Sequence, residues 1–176
     1  MTVEALRRSE PEVLADLLEQ HGAEIQGVAY LILHDRQAAE DVLMDTLIAA
    51  LDRGATLRDG GALRVWLLRI ATNLALSKRR RERRVVWLDV LPEAPAPQTD
   101  TTDRLVLLAG LAALPPRSRA AVVLHYYADL PVAEVAAAMG TSQNTVKTQL
   151  RTALGRLRAS VGTANPEGAA REAARG

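Results

Sequence analysis

The sequence predicts an all-α protein made of two small helical domains joined by a flexible linker. Apolar residues recur at helical spacing in the first half of the chain and again after residue 102. Between these parts, residues 92–102 have no apolar periodicity and are rich in Pro, Ala and Thr, as in an extended linker. A chain of 176 residues can hold two domains, each of roughly 60 to 90 residues and near the lower limit for an autonomous core.

The composition excludes several functional classes. Apolar residues make up 48% of the chain and charged residues 24%, which is typical of a globular protein. No apolar run approaches the roughly 18 residues needed to span a bilayer, and the N-terminus lacks the apolar core of a signal peptide. We therefore expect a cytoplasmic protein without membrane insertion.

Residues that bind metals or form covalent intermediates are scarce. The chain has no Cys, which excludes disulfides, thiolate metal sites and thiol nucleophiles. Its three His (His21, His34 and His125) lie too far apart in sequence to resemble a metal motif. Since no Gly-rich phosphate loop occurs either, we expect no metal, no cofactor, no catalytic residues and no enzymatic activity.

The net charge of +1 conceals a strong separation of charge along the chain. Residues 1–52 carry 11 acidic and 3 basic side chains, a net charge of −8. Residues 53–84 carry 10 basic and 2 acidic side chains, a net charge of +8. An acidic surface beside a basic one predicts two different charged partners, one of them a nucleic acid.

The first domain is predicted to contain three helices. A capping-box pattern from Ser9 to Glu12 opens the first helix, which His21 and Gly22 bend or interrupt. Asp35 is placed to cap the second helix. A Gly-containing loop over residues 53–61 then leads into the third.

The third helix begins near Ala62 and ends in a strongly basic segment. Trp66 and Asn73 lie on one of its stripes, and six of the seven residues from Lys78 to Arg84 are cationic. Cations at a helix C-terminus complement the helix dipole, so a solvated, capped end is one explanation. Because like charges at i and i+4 repel, six cations exceed what capping requires, and we favour contact with a polyanion.

The domain boundaries follow from these patterns. We place the first domain at residues 1–88, the linker at 89–102, the second domain at 103–161 and a disordered tail at 162–176. The apolar stretch over residues 85–91, which contains Trp87, is expected to pack on the first domain. In the second domain, Pro116 is placed to open a helix.

The second domain ends in a helix-turn-helix pattern. Apolar residues between Pro131 and Met139 occupy one helix face. Gly140 then supplies a residue that tolerates positive φ, and Ser142 offers an N-cap for the next helix. Two helices joined by three or four residues that include a Gly are typical of this motif.

The second helix of the motif has a face suited to the major groove of DNA. Its apolar residues from Val146 to Leu157, Leu154 among them, form the stripe predicted to be buried. Amides pair with adenine edges and Arg or Lys with guanine, and residues 141–160 contain four basic residues and no acidic one. An ordinary amphipathic hairpin is the alternative, but the period, the Gly position and the lack of acid together favour a DNA reader. The polar residues of the outer face are Gln143, Asn144, Lys147, Thr148 and Arg151.

Four stretches of the chain carry a family resemblance. They are Asp35-Arg-Gln-Ala-Ala-Glu-Asp-Val, Trp66-Leu-Leu-Arg-Ile-Ala-Thr-Asn-Leu-Ala, Leu114-Pro-Pro-Arg-Ser-Arg and Val135-Ala-Ala-Ala-Met-Gly-Thr-Ser-Gln-Asn-Thr-Val-Lys. In this order, within residues 10–160, they resemble the extracytoplasmic-function (ECF) sigma factors of bacterial RNA polymerase.

The resemblance implies sigma region 2 in the first domain and region 4 in the second. Region 2 would dock its second helix on the clamp helices of the polymerase β′ subunit. Its third helix and the preceding loop would recognise and help melt the minus-ten promoter element. Region 4 would place its recognition helix in the major groove of the minus-thirty-five element. The family usually has Gln, Glu and an aromatic residue where this chain has Met44, Asp45 and Leu47, and the chain has no Phe.

The resemblance also implies roles for individual residues, position by position. The residues implied to bind core polymerase are Asp41, Met44, Asp45 and Leu47. The residues implied to contact the minus-ten element are Arg58, Asp59, Trp66, Arg69, Asn73, Lys78, Arg79 and Arg80, although a Trp on an apolar stripe such as Trp66 is also typical of a core residue. The residues implied to contact the minus-thirty-five element are Ser142, Gln143, Asn144, Thr145, Lys147, Thr148 and Arg151.

The implied partners are the polymerase core, through its β′ clamp and β subunits, and promoter DNA. An anti-sigma factor is a further partner, as in many members of the family. One alternative stays open: a helix-turn-helix transcriptional regulator or degenerate sigma-like protein that binds duplex DNA without recruiting core polymerase.

Overall fold

The computed structural model describes residues 11–54, 62–85 and 102–164, and all regular structure in these ranges is helical. This confirms the all-α prediction. A π-helical turn over Val123–Tyr127 continues the fifth helix. No helix within these ranges is long and apolar enough to cross a membrane. The helices are α1 (Pro11–Leu33), α2 (Arg36–Arg53), α3 (Leu63–Val85), α4 (Thr102–Ala113), α5 (Pro116–Val122), α6 (Val132–Met139) and α7 (Gln143–Ala164).

The first helix runs without a break through His21 and Gly22, where the sequence predicted a bend. Gly22 is buried, and a Cβ at this position would lie 2.9 Å from Cδ1 of Leu18 and 4.0 Å from Cδ1 of Leu43. The missing Cβ therefore leaves room for the side chain of Leu18, one turn earlier in α1, and the glycine does not end the helix. Of the predicted capping box, Ser9 lies outside the described residues.

The turn between α1 and α2 is fixed by two local features. His34 has a φ of 59°, a left-handed conformation, and its N–H donates to the carbonyl of Tyr30 at 2.7 Å. Asp35 caps α2 as predicted, since its Oδ1 accepts the N–H of Ala38 at 2.8 Å. The chain thus passes from one helix into the next within two residues.

The two halves of the chain share one continuous apolar core. In the first half, α1, α2 and α3 bury residues such as Leu17, Leu47 and Leu67. In the second half, α4 to α7 bury residues such as Leu124 and Val146. The two helical units therefore pack against each other, an arrangement that the sequence did not predict.

The helix ends differ from the predicted boundaries at two places. Thr102 begins α4 although it was assigned to the linker, and α7 continues to Ala164, past the predicted start of the tail at residue 162. Pro116 occupies the first turn of α5, as predicted. The predicted linker up to residue 101, with the apolar stretch around Trp87, and the tail from residue 165 lie outside the described residues.

Candidate nucleic-acid interface

The turn between α6 and α7 has the geometry that the sequence predicted. Gly140 has a φ of 60° and a ψ of 44°, a conformation that a residue with a Cβ adopts only at a steric cost. The N–H of Thr141 donates to the carbonyl of Ala136 at 3.0 Å, which satisfies a carbonyl in the last turn of α6. Ser142 caps α7, because its Oγ accepts the N–H of Thr145 at 3.1 Å.

Helix α7 has one buried and one exposed face. Its buried face consists of Val146, Leu150, Ala153 and Leu157, whereas Leu154, predicted to be buried, is only half-buried. The hydroxyls of Ser142 and Thr145 bond to each other at 2.9 Å and so hold the first turn. All the residues that the resemblance implied for the minus-thirty-five element are exposed: Ser142, Gln143, Asn144, Thr145, Lys147, Thr148 and Arg151.

Three of the residues implied for the minus-ten element lie together on α3. Trp66 is half-buried and packs against the core, while Arg69 and Asn73 are exposed. All three line a cavity of about 500 Å³ bounded by α2, α3 and α6. Trp66 thus packs against the core with one part of its side chain and borders the cavity with another. Arg58 and Asp59 lie outside the described residues.

The basic end of α3 is partly engaged by the protein itself. Nζ of Lys78 lies 2.6 Å from Oδ2 of Asp41, and this hydrogen bond and charge lower the pKa of Asp41. Arg79 is half-buried, and Arg80 and Arg81 are exposed. A residue implied for core polymerase and one implied for DNA therefore form an ion pair with each other.

The residues implied to bind core polymerase do not all lie on one face of α2. Asp41 and Asp45 are exposed and Met44 is 49% exposed, but Leu47 is 1% exposed. The structure corrects the assignment of Leu47, which packs in the core and supports the helix. Ile48, 53% exposed, completes the outer face in its place, at the i, i+3, i+4, i+7 spacing from Asp41. Helical periodicity in the sequence would have identified it.

No role was predicted for Arg119, which is only 2% exposed. Its guanidinium donates to the carbonyls of Leu111 at 2.7 Å, Leu114 at 3.1 Å and Ile32 at 2.6 Å, and also to that of Ala112. Leu111 and Ala112 lie in the last turn of α4 and Ile32 in the last turn of α1, where carbonyls lack the i+4 N–H donor of a continuing helix. The carbonyl of Leu111 also accepts the N–H of Leu114 at 3.1 Å. A single cation therefore caps the C-terminal ends of two helix dipoles.

His34 joins this cluster in one defined protonation state. Its Nδ1 lies 3.1 Å from Nη1 of Arg119 and accepts a hydrogen bond from it, and its Nε2 lies 3.2 Å from the carbonyl of Leu108 and donates to it. Burial, followed by the charge of Arg119, lowers the pKa of His34 to about 4, with a smaller contribution from Arg79. A second proton would direct an N–H of the imidazole at the guanidinium, so the ring is neutral at pH 7.

Family models match both halves of the chain. "Sigma-70 region 2" matches residues 17–85, which correspond to α1, α2 and α3. "Sigma-70, region 4" matches residues 104–157, which correspond to α4 to α7. Together the two matches cover more than half of the chain.

Curated proteins and solved structures agree with these matches. The chain is 28% identical over 158 residues to the ECF RNA polymerase sigma factor SigL of Mycobacterium tuberculosis, across 85% of this chain and 89% of that protein. It is 34% identical over 132 residues to the RNA polymerase sigma-E factor of Streptomyces coelicolor, across 72% and 73%.

Two solved structures share the fold. The sigma factor RpoE in complex with the anti-sigma factor NepR, from Bartonella quintana, has a TM-score of 0.70 at 24% identity, across 85% of this chain and 96% of that chain. CnrH in complex with the cytosolic domain of CnrY has a TM-score of 0.68 at 21% identity, across 92% and 95%. With both regions matched in order and relatives covered over most of their length, the chain belongs to the ECF sigma factors of the sigma-70 family of RNA polymerase.

Proposed function

We propose that this sigma factor, which directs RNA polymerase to promoters, reads the minus-thirty-five element with the outer face of α7 and the minus-ten element with α3. The observation that carries the proposal is the two-sided character of α7. Asn144, Lys147, Thr148 and Arg151 share one exposed helix face opposite a fully apolar buried face.

The outer face of α7 has the chemistry of direct base readout. The amide of Asn144 suits an adenine edge, and Lys147 and Arg151 suit guanine, each good pair contributing about 1–3 kcal/mol of discrimination. Arg156 and Arg158 are exposed farther along the same helix. Phosphate contacts by such cations fix the position of the helix in the groove without reading sequence.

The face of α3 has the features of a single-strand site. Trp66, Arg69 and Asn73 provide an aromatic ring, a cation and an amide around one cavity, and such groups stack and hydrogen-bond unpaired bases. Arg80 and Arg81, exposed about two to four turns farther along the helix, are placed to contact phosphates. Lys78 is held by Asp41, so we assign it a smaller part than the sequence suggested.

Core polymerase is proposed to dock on the outer face of α2. Met44 and Ile48 supply apolar area and Asp41 and Asp45 supply negative charge on the same face. Such a face fits a partner with apolar residues at its centre and cations at its rim. The β′ clamp is the proposed contact for region 2 and the β subunit a further contact of the bound sigma factor.

Three further assignments follow from the role of a sigma factor. The chain has no chemistry of its own, because the catalytic centre belongs to the polymerase core. It acts in the cytoplasm, where polymerase and promoter DNA are. An anti-sigma factor is a proposed partner, which is supported by the two structural neighbours solved with such proteins.

The test is reconstitution with core polymerase, followed by co-elution on size exclusion and by run-off transcription. Ile48→Arg and Met44→Arg are expected to abolish co-elution, because each places a cation in the apolar centre of the docking face. Leu107→Arg on α4 is the matched control, since Leu107 is 48% exposed and lies outside that face. A helix-turn-helix regulator that does not recruit core would bind duplex DNA but never co-elute, and this result would reject the proposal.

A further inference from the structure

One glycine of the second domain has no packing or backbone requirement of its own. Gly155 lies in the interior of α7, is exposed, and lacks the positive φ that distinguishes Gly140. At Gly22 and Gly27 an added Cβ would come within 3 Å of a neighbouring side chain. At Gly155 no other side chain of the described residues lies within 4 Å of the added atom. The fold therefore has room for a side chain at this position.

The glycine is unfavourable for α7 itself. A glycine in a helix interior loses more conformational freedom on folding than an alanine does, and it exposes the backbone to water. A residue that breaks a local rule without a compensating contact in the fold is characteristic of a functional site. The reason for Gly155 therefore lies in a partner that approaches α7 at this point.

Gly155 continues the proposed reading face of α7. In an α-helix, residues three and four positions apart lie on the same face. Four exposed residues follow one another at these spacings: Thr148, Arg151, Gly155 and Arg158. Gly155 is thus a gap in the outer face, with a proposed base-reading arginine before it and an exposed cation after it.

The position of this gap along the helix matches the edge of the major groove. At about 1.5 Å per residue, the proposed readers from Gln143 to Arg151 span about 12 Å, which is about the width of the major groove of B-form DNA. Gly155 lies about 6 Å beyond Arg151. A helix that crosses the groove therefore passes a sugar-phosphate strand at about the level of Gly155.

The charges around Gly155 suit a phosphate. Arg151 and Arg158 flank it on the same face, and Arg156 is exposed beside it. Residues 141–160 contain no acidic side chain, so no carboxylate in this stretch repels a phosphate. A side chain at position 155 would hold the strand farther from the helix backbone, and both flanking arginines would then reach their contacts less well.

We propose that Gly155 is a positioning residue for the minus-thirty-five element, because its missing side chain lets a phosphate strand of the DNA approach α7 closely. Arg151 and Arg158 then reach the DNA from either side of the gap. This inference rests on the proposed function of α7, and it adds to that function the residue that sets the depth of docking in the groove.

The test measures the affinity of the reconstituted holoenzyme for a duplex that it selects from a random pool, by fluorescence anisotropy over a series of salt concentrations. Gly155→Leu is expected to weaken binding about tenfold, as the loss of one hydrogen bond to a charged group does, and to reduce the salt slope by about one. Gly155→Ala is expected to fall between the wild type and Gly155→Leu. Scrambling the upstream motif of the duplex is expected to abolish the difference between these variants.

Stability is measured on the same variants because it should change in the opposite direction. Gly155→Ala is expected to raise the melting temperature of the free chain by about 2–4 °C, since alanine favours the helix and meets no neighbouring side chain here. A variant that is more stable yet binds DNA less tightly has not lost affinity through misfolding. Ala109→Leu on α4 is the matched control, because it adds a leucine side chain at another exposed helical position, and its affinity is expected to be unchanged.

The outcomes distinguish a failure of this inference from a failure of the proposed function. Unchanged affinity in Gly155→Leu, with weaker binding in Arg151→Ala, would overturn the positioning role and leave the proposed function intact. Unchanged affinity in both would reject the reading role of α7 and this inference with it. A melting temperature lowered by Gly155→Ala, or equal losses of affinity in Ala109→Leu and Gly155→Leu, would also overturn the inference. Loss of co-elution with core polymerase in Gly155→Leu would assign the gap to a protein partner and contradict the contact with DNA.

Discussion

Arg119→Met tests the cluster that caps two helices with one cation. Methionine retains most of the apolar stem of Arg119 and removes its guanidinium. The substitution removes a donor from four carbonyls, those of Leu111, Ala112, Leu114 and Ile32. The carbonyl of Leu111 retains the N–H of Leu114 at 3.1 Å. It also leaves Nδ1 of His34 without the hydrogen bond from Arg119.

The expected loss follows from these acceptors. A buried acceptor left without its donor costs about 1–3 kcal/mol, and the carbonyls of Ala112 and Ile32, at the two helix ends, have no intrahelical donor to replace it. Two effects reduce this loss. Water reaches some of these carbonyls after the substitution, and the unfavourable burial of the guanidinium charge is removed. We therefore expect a net loss of about 3 kcal/mol in the free energy of unfolding, a large part of the 5–15 kcal/mol typical of a domain.

The assay is urea unfolding of the full chain followed by helical circular dichroism, compared at constant m-value. Arg117→Met is the matched control, since Arg117 lies on the same helix and is exposed, and a loss of no more than about 0.5 kcal/mol is expected there. Arg119→Lys is expected to fall between the two, because an ammonium lacks the planar fork of donors. Equal losses for Arg119→Met and Arg117→Met would refute the capping role.

The remaining predictions concern the pH dependence of stability, the N-terminal cap of α7 and the two DNA elements. The pKa of His34 is about 4 in the fold and 6.5 ordinarily, so the unfolded chain binds more protons than the folded chain between these pH values. The free energy of unfolding is therefore highest above pH 6.5 and falls by about 1–2 kcal/mol, allowing for solvent screening, as pH drops towards 4. His34→Gln is expected to flatten that slope in pH-dependent unfolding, and an unchanged slope would contradict the assignment. Ser142→Ala removes the cap of α7 and is expected to cost about 1 kcal/mol, measured by thermal unfolding with Ser142→Asp as the variant that retains it. Arg151→Ala is expected to lose about 1–3 kcal/mol of discrimination at one position of the minus-thirty-five element. Arg80→Ala with Arg81→Ala is expected to weaken binding to all sequences and to reduce the salt dependence of the affinity. The same pattern from both variants would argue against separate roles in base readout and phosphate contact.

Local signals in the sequence predict a helix cap or a turn wherever the bonded group lies within one helical turn. Asp35 caps α2 through a residue three positions away, and Ser142 caps α7 in the same manner. Gly140 adopts the left-handed conformation that its place after an apolar helix predicts. In each case the side chain or the backbone conformation acts on neighbouring peptide groups, so spacing alone identifies it.

Roles that depend on distant residues could not be predicted. Arg119 bonds to the carbonyl of Ile32, 87 positions away, and Lys78 pairs with Asp41, 37 positions away. Gly22 resembles a helix breaker in sequence, yet α1 continues through this residue, which is buried. Leu47 was assigned by family position, although the helical period places it in the core.

Promoter recognition by two elements is tested by selection of bound DNA from a random pool, with core polymerase reconstituted with this chain. We expect the holoenzyme to enrich two motifs about 25 base pairs apart and Arg151→Ala to alter only the distal motif. Enrichment of a single duplex motif by the chain alone, with no change on adding core polymerase, would contradict this expectation.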